Sequence, residues 1–68
     1  MSRYVNDARM NVLIQYQEHG MWFTSVVMDG NPSDQSIFLQ MQDVKHMYSN
    51  KRIRAIDDPS GRLVDMLQ

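Results

Sequence analysis

Apolar and polar side chains alternate near the start of the chain, which predicts a β-hairpin. Every second residue from Met10 to Tyr16 is apolar, and Leu13 is the one apolar residue between them. A period of two residues is typical of a strand with one buried face. Residues 21–28 follow after a short polar break and are rich in aromatic and β-branched side chains. That composition predicts a second strand.

A two-residue turn at His19-Gly20 would join these strands. Both turn positions need a positive φ, which glycine adopts freely and histidine tolerates better than most residues. The turn pairs Tyr16 with Phe23 and thereby divides the side chains between two faces. The face predicted to be buried holds Val12, Ile14, Tyr16, Phe23, Ser25 and Val27. The opposite face holds Leu13, Gln15, Gln17, Trp22, Thr24 and Val26.

The spacing of apolar residues changes after residue 30 and predicts a helix. Asn31 is suited to the N-cap and Pro32 to the first helical position. The buried stripe is predicted to contain Ile37, Met41, Val44 and Tyr48, widened by Phe38 and Met47. Ser49-Asn50 would end the helix, with Asn50 in the left-handed conformation. Residues 37–42 also alternate as a strand would, but the N-cap and the length of the segment favour a helix.

The last part of the chain predicts a second hairpin. Two apolar runs flank Asp58-Pro59-Ser60-Gly61, in which proline and glycine are typical turn residues. Asp57 and Arg62 would close this four-residue loop. The predicted buried face holds Ile53, Ala55, Val64 and Met66, and Arg54 is predicted to pair with Asp65 across the strands.

These elements predict an α+β fold with the order ββαββ. Four mostly antiparallel strands would form one sheet, with a single helix packed on one face. We expect residues 1–8 to be a flexible leader and residues 9–68 to form one small domain.

Composition narrows the classes of function. A chain of 68 residues buries only about 60% of the surface that its unfolded form exposes, so it is marginally stable alone and gains from oligomerisation. It has no cysteine, and His19 and His46 lie in different elements, so we predict no disulfide and no metal site. No phosphate loop, nucleophile elbow or paired-carboxylate motif occurs. We therefore predict no catalytic residues, no cofactor and no enzymatic activity.

The distribution of apolar residues also predicts the cellular compartment. No apolar run approaches the length of a membrane span, and the first residues lack the apolar core of a signal peptide. These features predict a cytoplasmic protein that does not enter membranes.

One sheet face is predicted to bind a partner, because a single helix covers only one face of a sheet. The predicted contact residues on the other face are Leu13, Trp22, Val26, Ile56 and Leu63. An apolar surface of this kind usually marks an interface, and tryptophan is enriched at interface hot spots. We expect either a homodimer or a complex with another protein.

Weak nucleic-acid binding is the alternative prediction. It would use the basic end of the helix and the third strand, through Lys45, Lys51, Arg52 and Arg62. The formal net charge of −1 argues against this alternative, since nucleic-acid-binding domains are usually clearly basic.

Overall fold

The computed structural model describes residues 11–67 and confirms the α+β fold. The elements are β1 (Asn11–Glu18), β2 (Met21–Asp29), α1 (Asp34–Met47), β3 (Ile53–Asp58) and β4 (Leu63–Leu67). The predicted leader at residues 1–8 lies outside the described residues.

The four strands form one antiparallel sheet in the order β2-β1-β3-β4. Each hairpin therefore contributes one central strand and one edge strand. The central pair, β1 and β3, is in continuous register from Asn11 opposite Asp58 to Tyr16 opposite Ile53. The sheet is thus completed by pairing two segments that are far apart in sequence.

The first hairpin turns at His19-Gly20, as predicted. His19 has φ 54° and Gly20 has φ 76°, so both occupy the left-handed region. Tyr16 lies opposite Phe23, but Gln15 pairs with Thr24 and Ile14 with Val26. Ser25 is therefore the extra residue of a β-bulge, which reverses the side-chain alternation beyond it.

This bulge corrects the predicted faces of β2. Val26 and Met28 pack against the core, whereas Val27 is 61% exposed. The prediction that Val26 points away from the helix is wrong, as is the prediction that Val27 is buried.

The second hairpin also contains a bulge. The Asp57 N–H donates to the Arg62 carbonyl at 2.8 Å, which confirms the predicted closing pair, and Gly61 has φ 78°. Ile56 lies opposite Leu63, but Ala55 lies opposite Asp65. Val64 is thus the extra residue of this bulge.

The shift at Val64 overturns two predictions for β4. Arg54 lies opposite Met66 and not opposite Asp65, so the predicted ion pair is wrong. Leu67 lies opposite Ile53 and packs on the core. Met66 therefore points to the other face, where it was not expected.

The helix begins two residues later than predicted, at Asp34 and not at Pro32. Ser33 is the N-cap, and its Oγ accepts a hydrogen bond from the Ser36 N–H at 3.2 Å. Asn31, the predicted cap, instead has φ 55° in the preceding turn. At the other end Tyr48 is the C-cap, and Asn50 does not take the predicted left-handed conformation.

The core lies between α1 and the central strands. It contains the predicted helix residues Ile37, Met41 and Val44, together with Val12, Ile14, Ile53 and Ala55. The Tyr16 ring stacks on Tyr48 at a centroid distance of 4.0 Å and on Phe23 at 5.7 Å, which extends the packing beyond the helix end. Phe38 and Met47 are 41% and 63% exposed, so their predicted place in the buried stripe is wrong.

Candidate interaction surface

The outer face, meaning the sheet face turned away from α1, carries a continuous apolar row across all four strands. Leu13 on β1 lies opposite both Val27 on β2 and Ile56 on β3, and Ile56 lies opposite Leu63 on β4. Directly opposed residues place their side chains on the same face. We call Val27, Leu13, Ile56 and Leu63 the apolar row.

The two ends of the apolar row are open to solvent. Val27 is 61% exposed and Leu63 is 57% exposed, whereas Leu13 and Ile56 between them are half-buried by their neighbours. Two large aliphatic side chains therefore remain mostly in water at the edges of an apolar strip, where further burial would be favourable.

The next row on this face, which we call the polar row, is formed by Thr24, Gln15, Arg54 and Met66. It lies two residues from the apolar row on β1 and β3, and three residues from it on the bulged strands β2 and β4. The Gln15 amide donates through Nε2 to Thr24 Oγ1 at 3.0 Å, and its Oε1 accepts from Arg54 Nε at 2.8 Å. Gln15 is only 8% exposed. These bonds satisfy a buried polar side chain and fix the position of Arg54 on the outer face.

Trp22 also contacts Arg54. The guanidinium carbon lies 4.2 Å from the centre of the Trp22 ring, a cation–π contact. Burial lowers the pKa of Arg54, although arginine remains charged at neutral pH. The result is a partly desolvated cation with a defined orientation.

The opposite end of the outer face is acidic. Asn11 lies opposite both Asp29 and Asp58, and we call these three residues the acidic row. Asp29 is exposed and Asp58 is half-buried. The face therefore runs along the strands from acidic side chains, through the apolar row, to a polar row that contains a cation.

The structure brings together most of the predicted contact residues. Leu13, Ile56 and Leu63 are neighbours in the apolar row, and Trp22 lies on the same face beyond the polar row. Val26 lies on the core side. Sequence reasoning missed Val27, because the bulge at Ser25 was not predicted. It also missed the role of Arg54, which was assigned to an ion pair with Asp65.

The four basic residues of the nucleic-acid alternative do not form one patch. Lys45 Nζ donates to the Lys51 carbonyl at 2.7 Å, and Lys51 Nζ lies 4.0 Å from Glu18 Oε1. Arg52 donates to Met66 Sδ at 3.4 Å. Arg62 lies opposite Asp57, which is five residues after Arg52, about 17 Å at the usual rise of a strand.

A groove of about 500 Å³ lies between α1 and β4, lined by Gln42, Lys45, His46, Ser49 and Leu67. Lys45 is the sole strong cation of this lining, and its ammonium group already binds a backbone carbonyl. Among residues 11–67 no three His, Asp or Glu side chains are placed to hold a metal ion. The groove thus lacks the convergent polar groups of a specific ligand site.

No helix within the described part of the chain is both long enough and apolar enough to cross a membrane. Comparison with known protein families, with curated proteins and with solved structures finds no match to this chain.

Proposed function

We propose that this chain is a small, non-catalytic cytoplasmic interaction protein that binds a protein partner through the outer face of its sheet. The observation that carries the proposal is the apolar row, whose ends at Val27 and Leu63 are more than half exposed. Burial of apolar surface is the main favourable term in most protein association. The cytoplasmic location rests on the sequence alone.

The shape of the surface suits a protein better than a small ligand. Small ligands are usually held in concave pockets, whereas an open four-stranded sheet presents a broad surface of side chains. The rim of the apolar row is polar on both sides, through the acidic row and through Arg54. An apolar centre with a polar rim is the usual anatomy of a protein interface.

The face is a more suitable contact surface than either sheet edge. Both edge strands contain a bulge, at Ser25 in β2 and at Val64 in β4. A bulge interrupts the regular row of backbone groups that another strand would need for pairing. We therefore place the partner on the side chains of the outer face.

Nucleic acid is a weaker candidate for the partner. Arg62 is remote from Lys45, Lys51 and Arg52, and the outer face itself carries Asp29 and Asp58. Phosphate groups would be repelled from the acidic row, and near-neutral net charge gives no long-range attraction.

The proposal is tested with one contact variant and one matched control. Leu63→Lys places a charge in the apolar row, and Leu39→Lys makes the same change on the solvent side of α1, where Leu39 is 52% exposed. Immobilised parent and variants are exposed to cell lysate and, separately, to the purified chain. Binding in either experiment should be lost with Leu63→Lys and kept with Leu39→Lys.

Two results would contradict the proposal. One is a parent protein that captures neither a lysate protein nor a second copy of itself. The other is binding that resists Leu63→Lys, which would move the contact away from the outer face. Far-ultraviolet circular dichroism of both variants establishes that they are folded before binding is compared.

A further inference from the structure

Building on the proposed function, we infer that the partner on the outer face is a second copy of this chain, packed face to face about a two-fold axis along the apolar row. The outer face is complementary to itself in this orientation. The apolar row meets its own copy, and the acidic row meets the row that contains Arg54.

Three residues of β3 are arranged symmetrically on the outer face. Arg54, Ile56 and Asp58 alternate with the buried Ile53 and Ala55, so all three point to the outer face. Ile56 lies midway between the two charged residues. A two-fold axis that crosses β3 at Ile56 therefore exchanges their positions. Each Arg54 then faces Asp58 of the second copy, and the interface gains two opposite-charge contacts.

Neither of these charges is paired with an opposite charge among residues 11–67. Within residues 11–67 the ion pairs are those of Glu18 with His19 and with Lys51, so neither Arg54 nor Asp58 takes part in one. Arg54 is nevertheless held in place by Gln15 and Trp22. A cation that is already oriented loses little conformational entropy when it meets a carboxylate.

Other orientations are less favourable. A two-fold axis parallel to the strands would lay the acidic row against the acidic row and the row containing Arg54 against itself, so that Arg54 could not meet Asp58. Like-charge contacts across an interface disfavour the wrong arrangement. Face-to-face sheets usually cross at about 30°, a rotation that moves the facing charges by about 3–4 Å and stays within the reach of an arginine side chain.

The size of the face predicts a weak dimer. Four strands at a spacing of about 4.8 Å give a width of about 19 Å, which places the interface at the small end of specific contacts. Association should therefore be measured by analytical ultracentrifugation over a concentration series that extends to several hundred micromolar.

Charge reversal provides a test that depends on the symmetry. In Arg54→Glu alone, the introduced carboxylate would face Asp58 of the second copy. In Asp58→Lys alone, the introduced ammonium group would face Arg54 of the second copy. Each variant should self-associate roughly tenfold or more weakly than the parent.

A mixture of the two variants shows whether their weaker self-association comes from facing like charges in a two-fold dimer or from a general loss of binding. When Arg54→Glu pairs with Asp58→Lys, one facing pair joins the two introduced charges and the other joins the native Arg54 and Asp58. Both facing pairs are then of opposite charge. An equimolar mixture should therefore associate within about threefold of the parent.

Asp43→Lys is the matched control, because Asp43 is exposed on α1 and the substitution changes the net charge by the same amount as Asp58→Lys. It should leave self-association unchanged. Thermal melts show whether each variant is folded. If Arg54→Glu does not fold, Arg54→Gln replaces it, and its mixture with Asp58→Lys should still associate more tightly than Asp58→Lys alone.

The outcomes separate this inference from the proposed function. A parent that stays monomeric throughout the series, or a mixture no tighter than its components, overturns the two-fold dimer. Such a protein could still bind a different protein in a manner sensitive to Leu63→Lys, in which case the proposed function stands. A parent protein that binds neither a second copy nor any lysate protein would contradict both the two-fold dimer and the proposed function.

Discussion

The guanidinium of Arg54 lies over the ring of Trp22, with its carbon 4.2 Å from the ring centre, although the two residues belong to strands that are not neighbours. Trp22 is on the edge strand β2 and Arg54 on the central strand β3, so the contact spans β1. Gln15 of β1 accepts a hydrogen bond from Arg54 Nε at 2.8 Å. Three strands are thus linked on the outer face by side chains as well as by their backbones.

This contact should be measurable as a coupling between two substitutions. Trp22→Ala and Arg54→Ala should each lower the free energy of unfolding, and the double variant should lose less than the sum. We expect a coupling of about 0.5–1 kcal/mol, as for partly exposed cation–π pairs. Urea unfolding followed by circular dichroism measures it without relying on the sole tryptophan. Strict additivity would mean that the stacking contributes nothing to stability.

The buried face of α1 gives a second prediction. Met41 is fully buried, so Met41→Ala should lower the free energy of unfolding by about 2–5 kcal/mol. Leu39→Ala removes a similar volume from a side chain that is 52% exposed and should have little effect. Urea unfolding of both variants provides the comparison. Similar losses from the two would be incompatible with the orientation of the helix.

The turn of the first hairpin gives a third prediction, with opposite signs for two substitutions. His19 has φ 54° and an exposed side chain, so its backbone conformation dominates the effect of a change. His19→Asn should raise the free energy of unfolding by about 0.5 kcal/mol, because Asn-Gly is favoured in such turns. His19→Val should lower it by about 1 kcal/mol, because a β-branched residue is strained at positive φ. Thermal melts that rank valine at or above asparagine would contradict the turn geometry.

Tyr16 gives a prediction about alkaline pH. Burial raises the pKa of Tyr16 above its ordinary value of 10.0, and its contact with Tyr48 adds to the rise. The folded state then holds the phenolic proton more tightly than the unfolded state does. This contribution to stability is fully present below pH 10 and is lost as the pH rises through the pKa of the folded state.

Tyr16→Phe removes the ionisable group, so its free energy of unfolding should depend less on pH in the alkaline range than that of the parent. Urea unfolding between about pH 8 and about pH 11.5 compares the parent with the variant. Absorbance of phenolate should show that the variant lacks a component titrating above the ordinary tyrosine pKa of 10.0. If both proteins lose stability in parallel over this range, Tyr16 is not the group responsible.

The elements of the fold were predictable because each has a local signal. The His19-Gly20 turn, the closing pair Asp57–Arg62 and the buried Ile37, Met41 and Val44 all depend on short-range geometry or on helical spacing. The position of the N-cap was missed because Asn31 and Ser33 are both good caps, and only the backbone conformation distinguishes them.

The candidate surface was predictable only up to the bulges. Four predicted contact residues were placed on the correct face, because they lie before a bulge or on a strand that has none: Leu13, Trp22, Ile56 and Leu63. Val26 and Met66 lie beyond Ser25 and Val64 along their strands, and both were assigned to the wrong face. A one-residue shift reverses every later side chain, and nothing in the residue types near Ser25 or Val64 signals it.

The same two bulges set how the sheet responds to a change in chain length. Loss of one residue at Ser25 would make Thr24 and Val26 consecutive, and both would keep their present partners on β1. The edge strand can therefore absorb a deletion without exchanging its inner and outer side chains. β1 and β3 pair without an extra residue, so a deletion within either would turn part of the core outward. A deletion should accordingly be tolerated better at the bulge of this edge strand than along the central pair.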